Sequence, residues 1–137
     1  RTPMQWDDTP NAGFSSVEPW LPVADNFKTH NAAVEAQDPT SFLALYHTLL
    51  GLRRSDATFR TGQFMLLGYI NNILAYKMGE YTVYINFNDT AHQINIGDAK
   101  PVCSSLYVAS VDGAGKQLQP FEALVVKENL TVTVVEP

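Results

Sequence analysis

The first thirty-seven residues constrain this chain most. They carry four prolines, Pro3, Pro10, Pro19 and Pro22, and four large aromatic residues, Trp6, Phe14, Trp20 and Phe27. Each proline disfavours helix at the residue before it, and Asn11 and Gly13 suit turns. Neither helical nor strand periodicity runs through the segment. A loop of this length cannot bury four large rings on itself, so it has to pack on a surface supplied by other residues. Its opening stretch, RTPMQWDD, also places Arg1, Asp7 and Asp8 close to Met4 and Trp6.

One helix follows. Asp38 is read as its N-cap and Pro39 as its first helical residue. Phe42, Leu45, Tyr46, Leu49, Leu50 and Leu52 fall mostly on one broad face. Arg53 and Arg54 occupy the last turn, where positive charge complements the helix dipole. The pattern predicts a helix over residues 40–53.

From Gly62 onward the pattern changes to short runs rich in β-branched and aromatic residues: GQFMLLGY, NILAYKM, EYTVYINF, HQINI, SLYVAS, ALVVKE and TVTVVEP. Turn signals separate them, among them Asn71-Asn72 and Gly97-Asp98. About seven antiparallel strands in a sandwich-like arrangement are expected. In EYTVYINF, the residues Tyr81, Val83, Ile85 and Phe87 alternate with Thr82, Tyr84 and Asn86. One apolar and one mixed face are expected, as for a sheet covering a core.

Composition excludes several function classes. Nine Lys+Arg against fourteen Asp+Glu give a net charge of −5 over 137 residues, with no basic cluster. Nucleic acid and anionic membranes are therefore not expected partners. No apolar run is long enough to span a membrane, and no signal peptide is read at the start. The single cysteine, Cys103, allows no disulfide within the chain. It lies in a strand-like run and is read as a small buried apolar residue rather than a nucleophile, since no activating partner stands near it in sequence. His30, His47 and His92 fall in different elements, so no metal site is expected, and no cofactor.

RTPMQWDDTPNAGFS, PWLPV, Asn31, Gln37, DPTSFLALYHTLLGLRR and Gly62 together resemble the C-terminal part of α-glucosidases in the α-amylase superfamily, in the branch of maltases, oligo-1,6-glucosidases and sucrose isomerases. The likeness is strong over the first half of the chain and continues through the rest as general pattern. It implies an α+β fragment: the last loop and helix of a (β/α)8 barrel at residues 1–60, then an antiparallel all-β, sandwich-like C-terminal domain at residues 61–137. The opening motif would lie in the loop after the last barrel strand. The activity implied is retaining hydrolysis of terminal α-glucosidic bonds of maltose, sucrose or short α-glucans. The family's nucleophile, acid/base and assisting aspartate come from earlier barrel strands, and no position here matches them. No catalytic residue is therefore assigned to this chain, which by itself is expected to be inactive. The implied partners are an α-glucoside or oligosaccharide substrate and the remainder of the barrel.

The resemblance places Arg1 near the mouth of the active site, where a sugar hydroxyl or a loop carboxylate suits its fork of donors. Arg1 is the candidate substrate-binding residue, and structural pairing stays open beside it. Asp7 and Asp8 match no catalytic position, and adjacent loop carboxylates usually point apart, so turn formation is the reading preferred. Trp6 and Trp20 are read as anchors of the loop rather than sugar platforms. Tyr69, Tyr76, Tyr81, Tyr84 and Tyr107 are read as filling a core or its edge rather than forming such a platform. Two other functions carry the same features. One is a non-enzymatic relative such as the heavy chain of an amino-acid transporter. The other is a carbohydrate-binding β module, which the long aromatic loop disfavours.

Two sequons, NDT at Asn88 and NLT at Asn129, are candidate glycosylation sites. They point to a secreted or extracellular protein; a bacterial source would instead place it in the cytoplasm. Material from a secreting eukaryotic host is expected to exceed the polypeptide mass by one or two glycans, and an intact mass equal to the bare chain removes this expectation.

Overall fold

The computed structural model describes residues 1–106, 110–112, 114 and 117–128. Asn129, Tyr107 and the run TVTVVEP lie outside the described residues. The chain divides into two compact units, Arg1–His47 and Thr48–Pro137. The described residues form two antiparallel sheets with few helices and no closed barrel.

The first unit is mostly loop, as expected, but it contains a short helix that the proline-rich pattern hid. α1 spans Ala32–Glu35 and is capped by Asn31, whose side chain accepts from the Val34 N–H at 2.9 Å. The other free N–H groups of that turn are also satisfied. Ala32 donates to the Gln5 carbonyl and Ala33 to the Trp6 carbonyl, each at 3.0 Å. A four-residue helix has little stability of its own. Here the extended opening strand supplies the acceptors that such a helix end requires.

α2 covers Phe42–Ser55, two residues later at each end than expected. The cap is Ser41 rather than Asp38: the Ser41 hydroxyl accepts from the Ala44 N–H at 3.2 Å and donates to the Glu35 carbonyl at 2.8 Å. A Glu35 carboxylate oxygen accepts from the Leu43 N–H at 3.0 Å, placing negative charge at the positive end of the helix. Asp38 instead closes the turn before it, accepting from the Thr40 N–H at 2.8 Å and the Thr40 hydroxyl at 2.6 Å. That local ring competes with helix entry, which explains the later start. No residue of α2 is buried; Phe42 and Tyr46 are 74% and 62% exposed.

In the second unit, α3 (Thr58–Thr61) precedes a sheet of β1 (Phe64–Ile70), β2 (Ile73–Met78), β3 (Tyr81–Asn86), β7 (Ala123–Lys127) and β5 (Lys100–Ser104), all antiparallel in that order. β4 (His92–Gln93) and β6 (Gln117–Leu118) form a separate two-residue pair. Asn71 and Asn72, at φ 51° and 58°, make the left-handed two-residue turn that matches the twist of the β1–β2 hairpin. β5 covers Lys100–Ser104, the start of the strand-like run that holds Cys103. Its Pro101 sits on the edge strand, where no partner needs a proline N–H. HQINI supplies only two strand residues.

The expectation of one apolar and one mixed face for EYTVYINF is corrected. Residues on both faces of β3 are buried, Thr82 and Asn86 as much as Tyr81 and Val83, while Phe87 falls beyond the strand and is exposed. Leu118, Leu124, Val126 and Ala114 form the core cluster, with Ile73, Tyr84, Ile94 and Ile96 packed against it. Buried polar groups are paired. Asn86 donates to the carbonyls of Thr90 and Gln119, at 2.9 and 2.8 Å. The fully buried Glu122 carboxylate accepts from the Ser104 hydroxyl at 2.6 Å and the Gln119 N–H at 2.8 Å.

Asp56 ties the end of α2 to the sheet. Its carboxylate accepts from the Tyr81 hydroxyl at 2.7 Å and the Thr58 N–H at 2.8 Å, with the Lys127 ammonium at 3.9 Å. The Tyr81 bond first, then the Thr58 bonds, hold its pKa down from 3.8 to about 2. A carboxyl with a depressed native pKa stabilises the fold fully above its unfolded value, and that contribution drains away as pH falls through the native value. The stability difference between the native chain and Asp56→Asn is therefore expected to be constant above about pH 5 and to shrink between pH 4 and pH 2. Denaturation curves at stepped pH check this; a difference unchanged down to pH 2 contradicts it.

Candidate functional site

The candidate site is the opening loop. Its most constrained part is the turn Pro10–Gly13, in which Asn11, Ala12 and Gly13 all have positive φ, at 57°, 57° and 65°. Left-handed backbone is disfavoured for residues with a Cβ, and most for those outside the Asn/Asp/Gly group. Here it is over-determined. The Ala12 carbonyl accepts from the Trp6 N–H at 2.9 Å and the Asp7 N–H at 3.3 Å, and the Asn11 side chain donates to the carbonyls of Ser15 and Val17 at 3.1 Å each. Ala12 is completely buried within this ring of bonds. The loop is thereby a shaped object rather than a linker.

Asp7 belongs to the same scaffold. It accepts from the Thr9 N–H at 2.9 Å and from the Thr9 hydroxyl, and these bonds hold its carboxyl below the usual carboxylate range. The sequence pattern Asp-x-Thr recurs at Asp38–Thr40 and Asp56–Thr58 with the same bond at 2.8 Å. Three copies of one turn chemistry account for Asp7 without a catalytic role.

Arg1 is exposed and lines an open cleft of about 220 Å³ with Thr2, Pro3, Phe14, Pro19, Trp20 and Leu21. The structure thus brings Arg1 together with two aromatic rings of the loop. Trp20 is 86% exposed and Trp6 52% exposed, so neither is an anchor buried among the described residues. A cationic fork beside flat apolar rings suits a polyhydroxylated ring, whose hydroxyls accept from the guanidinium while its C–H face covers an aromatic.

Asn31 is nine-tenths buried or more and holds the rear of the loop. It donates to the Phe27 carbonyl at 2.8 Å while capping α1. Gln5 donates to the His30 carbonyl. Neither role was visible in sequence as a contact. The Asn31 cap had a signal, an asparagine before an Ala-Ala-Val-Glu run, which the surrounding prolines masked.

The other candidate sites lie elsewhere. Asn88 is half-buried rather than in a fully exposed turn. Its side-chain N–H groups donate to the Asn71 carbonyl at 2.8 Å and the Asn86 side-chain oxygen at 2.9 Å. A glycan replaces one hydrogen on that nitrogen, so glycosylation there gives up one of these bonds. Cys103 is buried and its thiol pKa is raised by that burial, the opposite of an activated nucleophile. Among the described residues, no group of three or more His, Cys, Asp or Glu residues is arranged to hold a metal, and no helix is long and apolar enough to cross a membrane.

Residues 1–62 match the family model for the alpha-amylase catalytic domain. Oligo-1,6-glucosidase from Parageobacillus thermoglucosidasius is 33% identical over 95% of this chain and 25% of its own length. Maltase A1 from Drosophila melanogaster is 30% identical over 82% of this chain and 22% of its own. The crystal structure of the trehalulose synthase MutB from Pseudomonas mesoacidophila MX-45 superposes with a TM-score of 0.75 at 32% identity, covering 93% of this chain and 25% of that one. The chain belongs to the α-amylase superfamily, in the α-glucosidase branch of glycoside hydrolase family 13. It spans about a quarter of the length of the curated relatives it matches.

At Gly13 a Cβ would lie 2.7 Å from the Asp7 carboxylate, and φ is already +65°. Gly13→Ala is expected to destabilise the first unit by roughly 1–2 kcal/mol from the backbone conformation alone, with the close approach adding to it. Both tryptophans of the chain, Trp6 and Trp20, lie in that unit. Their fluorescence in a denaturant titration reads it selectively, and an unshifted midpoint contradicts the strained-turn account.

Proposed function

We propose that this chain is part of a retaining α-glucosidase that hydrolyses terminal α-glucosidic bonds of maltose, sucrose or short α-glucans. The observation that carries this reading is the shaped opening loop, with Arg1, Phe14 and Trp20 around one cleft, inside the segment that matches the alpha-amylase catalytic domain. Relatives named oligo-1,6-glucosidase and maltase support the substrate class. In this reading residues 1–60 complete a barrel and residues 61–137 form the β domain that follows it. The exposed apolar face of α2 supports that division, since a barrel helix buries such a face on its neighbours.

Retaining hydrolysis needs a carboxylate nucleophile and a carboxyl acid/base about 5 Å apart across the scissile bond. Among the described residues, Asp7 is committed to Thr9, Glu122 is enclosed by Ser104 and Gln119, and Asp56 is bonded to Tyr81, so none of these three is free for either role. We place the catalytic pair outside these 137 residues. Arg1 is assigned a binding role, donating to a sugar hydroxyl at the cleft. The sequons support a secreted protein.

The protein containing this chain is expected to release p-nitrophenol from p-nitrophenyl α-glucoside, and the 137-residue chain by itself to release none. Loss of one charged hydrogen bond is worth about 1.5–3 kcal/mol, so Arg1→Ala is expected to lower kcat/KM by about ten- to a hundredfold, with the melting temperature unchanged. Unchanged kinetics with a lowered melting temperature would assign Arg1 to structural pairing, and absence of turnover by the intact protein would refute the enzymatic reading.

A further inference from the structure

Three aromatic rings that the core does not use gather at one end of the five-stranded sheet. Tyr69 near the end of β1, Phe87 just after β3 and Phe121 just before β7 are 58%, 54% and 66% exposed. Tyr69 and Phe87 meet edge to face, with centroids 6.3 Å apart. Phe121 joins them through the backbone, its N–H donating to the Asn88 carbonyl at 3.1 Å.

Phe121 has φ of +57°. A bulky residue in left-handed backbone is a genuine outlier, and such strain concentrates at functional positions. Glycine or asparagine meets this turn without penalty, so the turn itself does not account for a phenylalanine. Nor does packing, because the ring is two-thirds exposed.

The hydrogen-bonded polar groups among these rings are amides and a phenol, and the exposed Asp89 follows Asn88 in the chain. The Tyr69 hydroxyl donates to the Asn72 side-chain oxygen at 3.0 Å, the Asn72 amide donates to Asn88 at 3.3 Å, and Asn88 donates to the Asn71 carbonyl and to Asn86. These bonds fix the amides in place. The Asn71 side chain is exposed beside them.

We propose that this end of the sheet is a carbohydrate-binding surface that takes a neutral oligosaccharide. Exposed aromatic faces match the C–H faces of pyranose rings, and preoriented amides supply both donors and acceptors to vicinal hydroxyls. The exposed Asp89 carboxylate beside Asn88 disfavours an anionic ligand. The surface stands independently of hydrolysis by the parent protein, so the two readings fail separately.

The test uses the full chain, run through native gels with and without soluble starch, and titrated with maltoheptaose by calorimetry. Two variants accompany it. Phe121→Asn keeps a residue that tolerates the left-handed turn and removes the ring, and Phe87→Ala removes the second ring. The native chain is expected to be retarded by starch and to bind maltoheptaose. Both variants are expected to lose the retardation and at least tenfold in affinity, with Phe121→Asn melting no lower than the native chain. A native chain that migrates equally in both gels overturns the proposal, as do variants retarded like the native chain. A native dimer that Phe121→Asn converts to monomer also overturns it, by showing that the surface meets a second copy.

Discussion

Tyr81 is the residue on which the second unit turns. It lies at the start of the central strand, 4% exposed, and meets three neighbours of different chemistry. Its hydroxyl reaches Asp56 just past α2, its ring stacks against Phe59 of α3 at 4.3 Å between centroids, and the Lys127 ammonium of β7 lies 5.1 Å from that ring. Lys127 in turn pairs with Glu80 at 3.0 Å. Burying a phenol requires a partner for its O–H, and a carboxylate is the strongest available acceptor. One satisfied bond thus allows a helical segment to lie on the sheet without leaving a polar atom stranded.

A second anchoring pattern runs across the sheet. Lys77 of β2 meets Glu128 at 2.7 Å, and the Thr82 hydroxyl between them donates to the same carboxylate at 3.3 Å. Paired ions at this half-buried position specify register more than they add stability. Shifting any strand by one residue would turn these groups to the opposite face and break every pairing at once. The apolar cluster around Leu118 and Leu124 supplies the burial, and the polar pairs select which arrangement of strands achieves it.

The opening loop follows a different logic. It holds its shape with hydrogen bonds rather than apolar burial: a left-handed turn locked on Ala12, Asn31 at its rear and Asp-x-Thr rings at its bends. Such a scaffold leaves Trp20 and Phe14 free to face outward beside Arg1. Exposed aromatics on a rigid loop are a pattern of recognition, because the side chains are already ordered before a ligand arrives. The family places this loop in the catalytic domain, and the geometry supplies a reason for its unusual composition.

Much of this was legible in the sequence because it rests on local chemistry. The prolines of the first segment, the Asn71-Asn72 turn and the strands within GQFMLLGY, NILAYKM, EYTVYINF and ALVVKE each act within a few residues, and each appears where the pattern placed it. The opening motif also marked the family, and residues 1–62 match its catalytic-domain model. What the sequence could not decide depended on which residues became neighbours from afar. Ser41 displaced Asp38 as the cap of α2 because the Glu35 carbonyl and carboxylate were at hand to complete it. β5, read from the sequence as strand-like, took β7 as its partner, a strand distant from it in the chain. Thr82 and Asn86 were buried because distant groups met them, the Glu128 carboxylate for Thr82 and the Gln119 carbonyl for Asn86. Tyr69 and Tyr81 carry the same side chain on strands of the same pattern, yet one faces solvent and the other is enclosed; the position of each strand in the sheet, central or edge, is a property of the whole fold and of no local stretch of residues.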